Sequence, residues 1–177
     1  MRRRTRTVGA AAAVALAMGA TGVDSRAAVS DEHAATLQRQ IDRVLAHSAP
    51  GGQQIGPNRV TWRRDGVTLT LPVPGRAHAA VGVKDCPSGY ACLWQDTFFR
   101  SRRVQFFHYR LYRLAAYGMP PGKRRGASSY ANHQTGGARA SLTFFNALHE
   151  PFDIELFSNG SLHGRLNDAA HYIELAP

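Results

Sequence analysis

The chain has two cysteines, Cys86 and Cys92, which bracket Pro87-Ser88-Gly89-Tyr90-Ala91 just ahead of the strand-like runs that hold Leu93, Trp94, Val104, Phe106 and Phe107. What such a close pair does depends on the redox compartment the chain reaches. Arg2, Arg3, Arg4 and Arg6 make a basic start, residues 8–23 carry no charge, and Ser25-Arg26-Ala27 puts small residues at the two positions a signal peptidase reads. The pattern predicts a secretory signal peptide over 1–27, cut after Ala27, with the paired arginines leaving twin-arginine export open. The uncharged run of about sixteen residues is shorter than the roughly twenty needed to span a bilayer, and no later segment comes close. A secreted product without a membrane span is therefore expected. In an oxidising compartment Cys86 and Cys92 most simply pair with each other, because a zinc site would need further Cys or His at matching spacing and none stands nearby.

Loss of residues 1–27 removes five arginines and one aspartate, so the formal charge falls from +10 to about +6. The remaining 150 or so residues are one domain's worth of chain. Ser30-Asp31-Glu32 reads as a helix start, and Leu37, Ile41, Val44 and Leu45 recur at helical spacing, which predicts an amphipathic helix over 31–46. Val60 to Trp62 and Val67 to Leu71 alternate on either side of Asp65-Gly66, the pattern of a β-hairpin. Residues 75–84 read as a linker. Beyond Tyr90, short apolar runs near 90–95, 103–108, 127–132, 140–146, 152–157 and 169–175 predict strands separated by turns, with Asn159-Gly160 among the turns. Leu111, Leu114 and Tyr117 suggest a short helical turn or an irregular crossing. Strand, turn, strand, loop, strand occurs once in 90–132 and again in 140–175.

That plan, with Cys86-Pro87-Ser88-Gly89-Tyr90-Ala91-Cys92-Leu93-Trp94, Arg102-Arg103-Val104-Gln105-Phe106, Tyr117-Gly118 and Ala127-Ser128-Ser129-Tyr130-Ala131-Asn132, resembles the Streptomyces metalloproteinase inhibitor family. The likeness covers about 85–135 well and 138–176 loosely. It implies a mainly β, βγ-crystallin-like sandwich of two Greek keys over 85–177, preceded by a helix, hairpin and linker over 28–84. It also implies inhibition of an extracellular peptidase. Three departures stand out. Arg100-Ser101 occupy the place of a hairpin glycine that would tolerate positive φ, so a rebuilt turn is expected there. The further cysteines common in the family are missing, and residues 120–126 look expanded.

Crystallin-type calcium sites combine two Asn or Asp residues with a Ser/Thr-Ser pair, which supply the hard oxygens calcium prefers. Here Ser128-Ser129 follow Arg124-Arg125, whereas Asn167-Asp168 lead to His171-Tyr172. Each is half a site, so the expectation is that Ser128, Asn167 and Asp168 satisfy turn backbone and that no cofactor is needed. His149-Glu150 begins like a zinc-peptidase motif, but Pro151 interrupts the helix such a motif needs and residue 153 is Asp. No Gly-x-Ser-x-Gly elbow surrounds Ser128, and a disulfide-bound cysteine is no nucleophile. An enzyme is not expected.

Aromatic and basic residues mix from Phe98 to Arg113, a composition that suits single-stranded nucleic acid. Export argues against that partner. Alternation instead puts Val104 and Phe106 on a core face and Arg103, Gln105 and Phe107 on a solvated one. With Lys123, Arg124 and Arg125, the surplus charge suits anionic wall polymers. The expected function is inhibition of an extracellular peptidase by a substrate-like loop. One candidate loop is Pro120, Pro121, Gly122, Lys123, Arg124, Arg125 and Gly126; the other is Pro87, Ser88, Gly89 and Tyr90. The alternatives are a non-inhibitory structural or wall-binding module of the same fold, or a basic toxin-like protein.

Overall fold

A computed structural model describes residues 25–75, 83–122, 126–135, 141–145, 151–154, 159–161 and 167–177. Most of the expected linker and of the expected signal peptide lie outside these residues, as do Lys123, Arg124 and Arg125. Helix α1 (Ser25–His47) contains the predicted 31–46 span but begins earlier. Ser30 therefore stands inside the helix rather than capping it. Arg26-Ala27-Ala28 contain no helix breaker, and alanine is the best helix former, so nothing local stops the extra turn.

Eleven strands are described: β1 (Gln53–Gly56), β2 (Arg59–Trp62), β3 (Val67–Thr70), β4 (Ala91–Asp96), β5 (Arg100–Phe106), β6 (Leu111–Arg113), β7 (Ser129–Asn132), β8 (Ser141–Phe145), β9 (Pro151–Ile154), β10 (Asn159–Ser161) and β11 (Tyr172–Ala176). The predicted hairpin is β2 and β3, with Gly66 in the left-handed region at φ 66°. A side chain at Gly66 would also collide with the His108 ring, 2.6 Å from an added Cβ. Three strands escaped the alternation rule. β1 is polar, β6 is three residues long, and β10 is the Asn159-Gly160-Ser161 expected to be a turn. Pairing with β7 overrides the turn preference of Asn-Gly in β10. The crossing expected around Leu111 to Tyr117 resolves into β6 followed by a short 3-10 turn over Leu114–Tyr117.

The strands form two antiparallel sheets, ordered β1-β2-β3-β5-β4-β7-β10 and β6-β11-β8-β9. The repeat seen in the sequence has a topological counterpart. Within β4 to β7 and within β8 to β11, the first, second and fourth strands share a sheet in the order second-first-fourth, and the third strand crosses to the other sheet. β10 thus completes the first sheet and β6 the second.

One main core lies between the elements. Register places Leu69, Val104 and Leu93 in a row across β3, β5 and β4, and Val67, Phe106 and Ala91 in the next row. All six are fully buried. The second sheet adds Tyr112, Ile173 and Leu175, with the Phe106 and Tyr112 rings 4.8 Å apart. Leu37, Ile41 and Val44 of α1 pack into this same core. The helix's apolar face is thereby covered within the chain, and β3 pairs directly with β5, so the extension and the downstream strands share both sheet and core. Trp62 closes the corner, donating from Nε1 to the Ala49 carbonyl at 2.8 Å and meeting Tyr117 edge-on at 5.4 Å. Gly118, at φ 77°, lets the 3-10 turn end close to the helix, since an added Cβ would lie 3.1 Å from Leu69 and 3.5 Å from Val44.

Candidate functional site

Cys86 and Cys92 are disulfide-bonded, with Cα atoms 5.8 Å apart. Cys92 leaves β4 on the face opposite Leu93, beside Trp94 and next to Ala131 of β7, so the bond anchors a second, smaller apolar cluster flanked by Tyr90 and Phe99. The ring between the cysteines is tied down at several points. Gly89 donates its N–H to the His133 carbonyl at 2.7 Å, His133 donates to the Tyr90 carbonyl at 2.9 Å, and Tyr90 donates to the Pro87 carbonyl at 3.3 Å. The His133 ring lies 3.0 Å through Nδ1 from the Cys86 carbonyl, and a carbonyl can only accept, so Nδ1 carries the proton. Gly89 takes φ 86°, a conformation open to glycine, and the Tyr90 ring rests 5.0 Å from that of Phe107. Pro87 and Ser88 remain exposed at the tip. Arg103 donates to the Asp85 carbonyl at the loop's entrance, and burial lowers its pKa, an effect that the Asp85 charge opposes.

The other candidate loop is closed at its base, where the Gly126 N–H donates to the Gly122 carbonyl at 3.3 Å. Pro120 and Pro121 are half-buried and Gly122 is exposed. Its basic tip, Lys123, Arg124 and Arg125, lies outside the described residues.

The two half-sites of the calcium pattern do meet. The Asp168 N–H donates to the Ala127 carbonyl at 3.0 Å, and the Asp168 carbonyl accepts from Gly122 at 2.9 Å. Ser128 Oγ donates to one carboxylate oxygen of Asp168 at 3.4 Å, and Asn167 donates to the other at 3.4 Å. Gly126 has to be glycine here, because an added Cβ would lie 2.6 Å from the Asp168 carbonyl oxygen. One carboxylate, one hydroxyl and one amide fall short of the six to eight oxygens calcium takes. Among the described residues no three His, Cys, Asp or Glu side chains gather as a metal site would require.

The rebuilt turn between β4 and β5 is also visible. Phe98, Phe99 and Ser101 take φ of 59°, 58° and 69°, three non-glycine residues in the left-handed region within four positions. Neighbours hold them there: Ser161 of β10 accepts from the Phe98 N–H and Ser129 of β7 from the Phe99 N–H, each at 3.2 Å. The Phe99 ring packs edge-on to Trp94. Of the basic and aromatic run, Phe98, Phe107, Tyr109 and Leu111 are exposed, whereas Arg110 is engaged by Asp65 at 2.8 Å and lies over the Tyr112 ring.

No family model, curated protein or solved structure matches the chain. Among the described residues no helix is long and apolar enough to cross a membrane. The alternation that turns Val104 and Phe106 inward turns Arg102 inward too, and that signal was legible without a structure.

Proposed function

We propose that this protein is a secreted, non-catalytic inhibitor of an extracellular peptidase, and that it presents the disulfide-closed loop 87–90 to the target's cleft as a substrate would. The observation that carries this reading is the contrast within the loop: Pro87 and Ser88 are exposed, while both ends are fixed by the Cys86–Cys92 bond and by the bonds that Gly89 and Tyr90 make with His133. A segment ordered before it binds loses little entropy on binding, and cut ends that stay in register rejoin or leave slowly. The exchanged third strands support the finer assignment of the fold as two crystallin-type Greek keys packed as a sandwich.

Titration of a thermolysin-like and a subtilisin-like peptidase with the purified protein tests the proposal. The expected result is tight inhibition of one of them, followed by slow gain of one water in intact mass, with two fragments separating only after reduction. That signature locates the cut between Cys86 and Cys92. Fragments that separate without reduction would move the reactive bond to residues 120–126. Rapid digestion, or no inhibition at high micromolar excess, would overturn the inhibitor and leave a binding module of the same fold.

A further inference from the structure

Strand β5 directs Arg102 toward the face on which Val104 and Phe106 are fully buried. Arg102 is half-buried, and a guanidinium partly withdrawn from water commonly takes a carboxylate partner. Arg102 has none among the described residues. One Nη donates to the Gly118 carbonyl, and Nε is buried without any hydrogen-bond partner. Burial lowers the pKa of Arg102, yet an arginine stays charged in proteins.

The side chain lies on the wall of a cavity of about 600 Å³ bounded by the C-terminal half of α1, by β4 and β5, and by the segment after the 3-10 turn. Arg43 and His47 line it from the helix, with Gln95 opposite, and no acidic side chain is found among its described lining residues. The His47 ring bonds the Arg43 carbonyl at 2.8 Å, which occupies one of the exposed carbonyls of the helix's electronegative end. Val44, Ala115 and Pro120 supply an apolar wall. The volume falls in the range of cavities that hold small organic ligands.

We propose that this cavity binds a small organic anion, with a carboxylate or phosphate group against Arg102 and Arg43 and an apolar body on Val44, Ala115 and Pro120. The pairing uses the guanidinium N–H groups that the Gly118 carbonyl leaves over, in the planar array suited to recognition of an oxyanion. The site is separate from loop 87–90 and does not depend on peptidase inhibition.

Calorimetric titration of the full chain with phenyl phosphate, benzoate and inorganic phosphate, at ionic strength fixed with sodium chloride, tests this. Saturable one-to-one binding of phenyl phosphate or benzoate is expected, and whichever probe binds more tightly tells a phosphate site from a carboxylate site. Arg102→Gln and Arg43→Gln should each weaken binding at least tenfold. Arg39→Gln should leave it within twofold, because the exposed Arg39 donates to Thr36 away from the cavity. Arg43 is exposed, so its variant keeps the test decisive even where Arg102→Gln does not fold. The proposal is overturned by absence of saturable binding, by binding of inorganic phosphate alone, by survival of binding within twofold in a folded Arg102→Gln or in Arg43→Gln, or by equal loss in Arg39→Gln.

Discussion

Opening the Cys86–Cys92 ring measures how much of the domain's stability the candidate loop carries. The cysteines are six positions apart, and the chain-entropy relation for so short a loop gives about 2 kcal/mol of stabilisation, all of it from restriction of the unfolded chain. Cys86→Ala with Cys92→Ala adds a second loss. Both side chains are buried, at 4% and 0% exposure, and two sulfur-sized voids cost about 1 kcal/mol together. For a chain of this size each kcal/mol moves the melting temperature by about 2 to 4 °C. Reduction of the unmodified protein should thus lower the melting temperature by about 4 to 8 °C, and the double alanine variant by about 6 to 12 °C, followed by circular dichroism. The difference between the two treatments isolates the packing of the sulfurs beside Trp94. A shift under 1 °C on complete reduction would refute the reasoning, since it would mean that the hydrogen bonds to His133 fix the loop in the unfolded ensemble as well.

Ile41→Ala should destabilise the protein by about 2 to 5 kcal/mol in urea unfolding, because Ile41 is fully buried in the core it shares with the sheets; a cost below 1 kcal/mol would show that the helix is dispensable. Ser101→Gly should stabilise by roughly 0.5 to 1 kcal/mol, since a left-handed φ of 69° costs a side chain more than glycine loses in chain entropy. No gain in the same unfolding assay would mean the turn relaxes when its neighbours are free to move. Burial raises the pKa of Tyr112 beyond the usual tyrosine range and that of Tyr117 to about 12. The unfolded chain therefore releases these protons first, and stability should hold up to about pH 10 and fall between pH 10 and 12. Absorbance at 295 nm should show a late ionisation that Tyr112→Phe and Tyr117→Phe each diminish, and an unchanged titration curve in both variants would contradict this.

The sequence was most informative where one physical effect dominated. Alternation through Val60, Trp62, Val67 and Leu69 around Asp65-Gly66 determined a hairpin, because sidedness and turn chemistry agreed there. The helix was legible from Leu37, Ile41 and Val44, but the surface that covers them was not, since pairing of β3 with β5 is a long-range event that no local pattern encodes. The same reason hid β10, whose Asn159-Gly160 carries a turn signal and whose strand state comes wholly from β7. At the candidate site, two cysteines close in the chain, an expected oxidising compartment and no nearby partners for zinc together pointed to the bond that joins Cys86 and Cys92. The tether to His133, 47 residues from Cys86, was out of reach, whereas the inward direction of Arg102 needed only a count by twos along β5.

The crossing of third strands between sheets governs the order in which a growing chain can fold. β6 is finished at Arg113, yet its described partner is β11, which begins at Tyr172, so about sixty residues must appear before β6 has a neighbour. β7 can pair at once with β4, but its other edge waits for β10. The early strands can form a partial sheet during synthesis, but its free edges and open apolar face persist until nearly the last strand arrives. A chain of this topology stays unfinished for most of its synthesis, and both sheets gain their last strands only when the final quarter of the sequence has appeared.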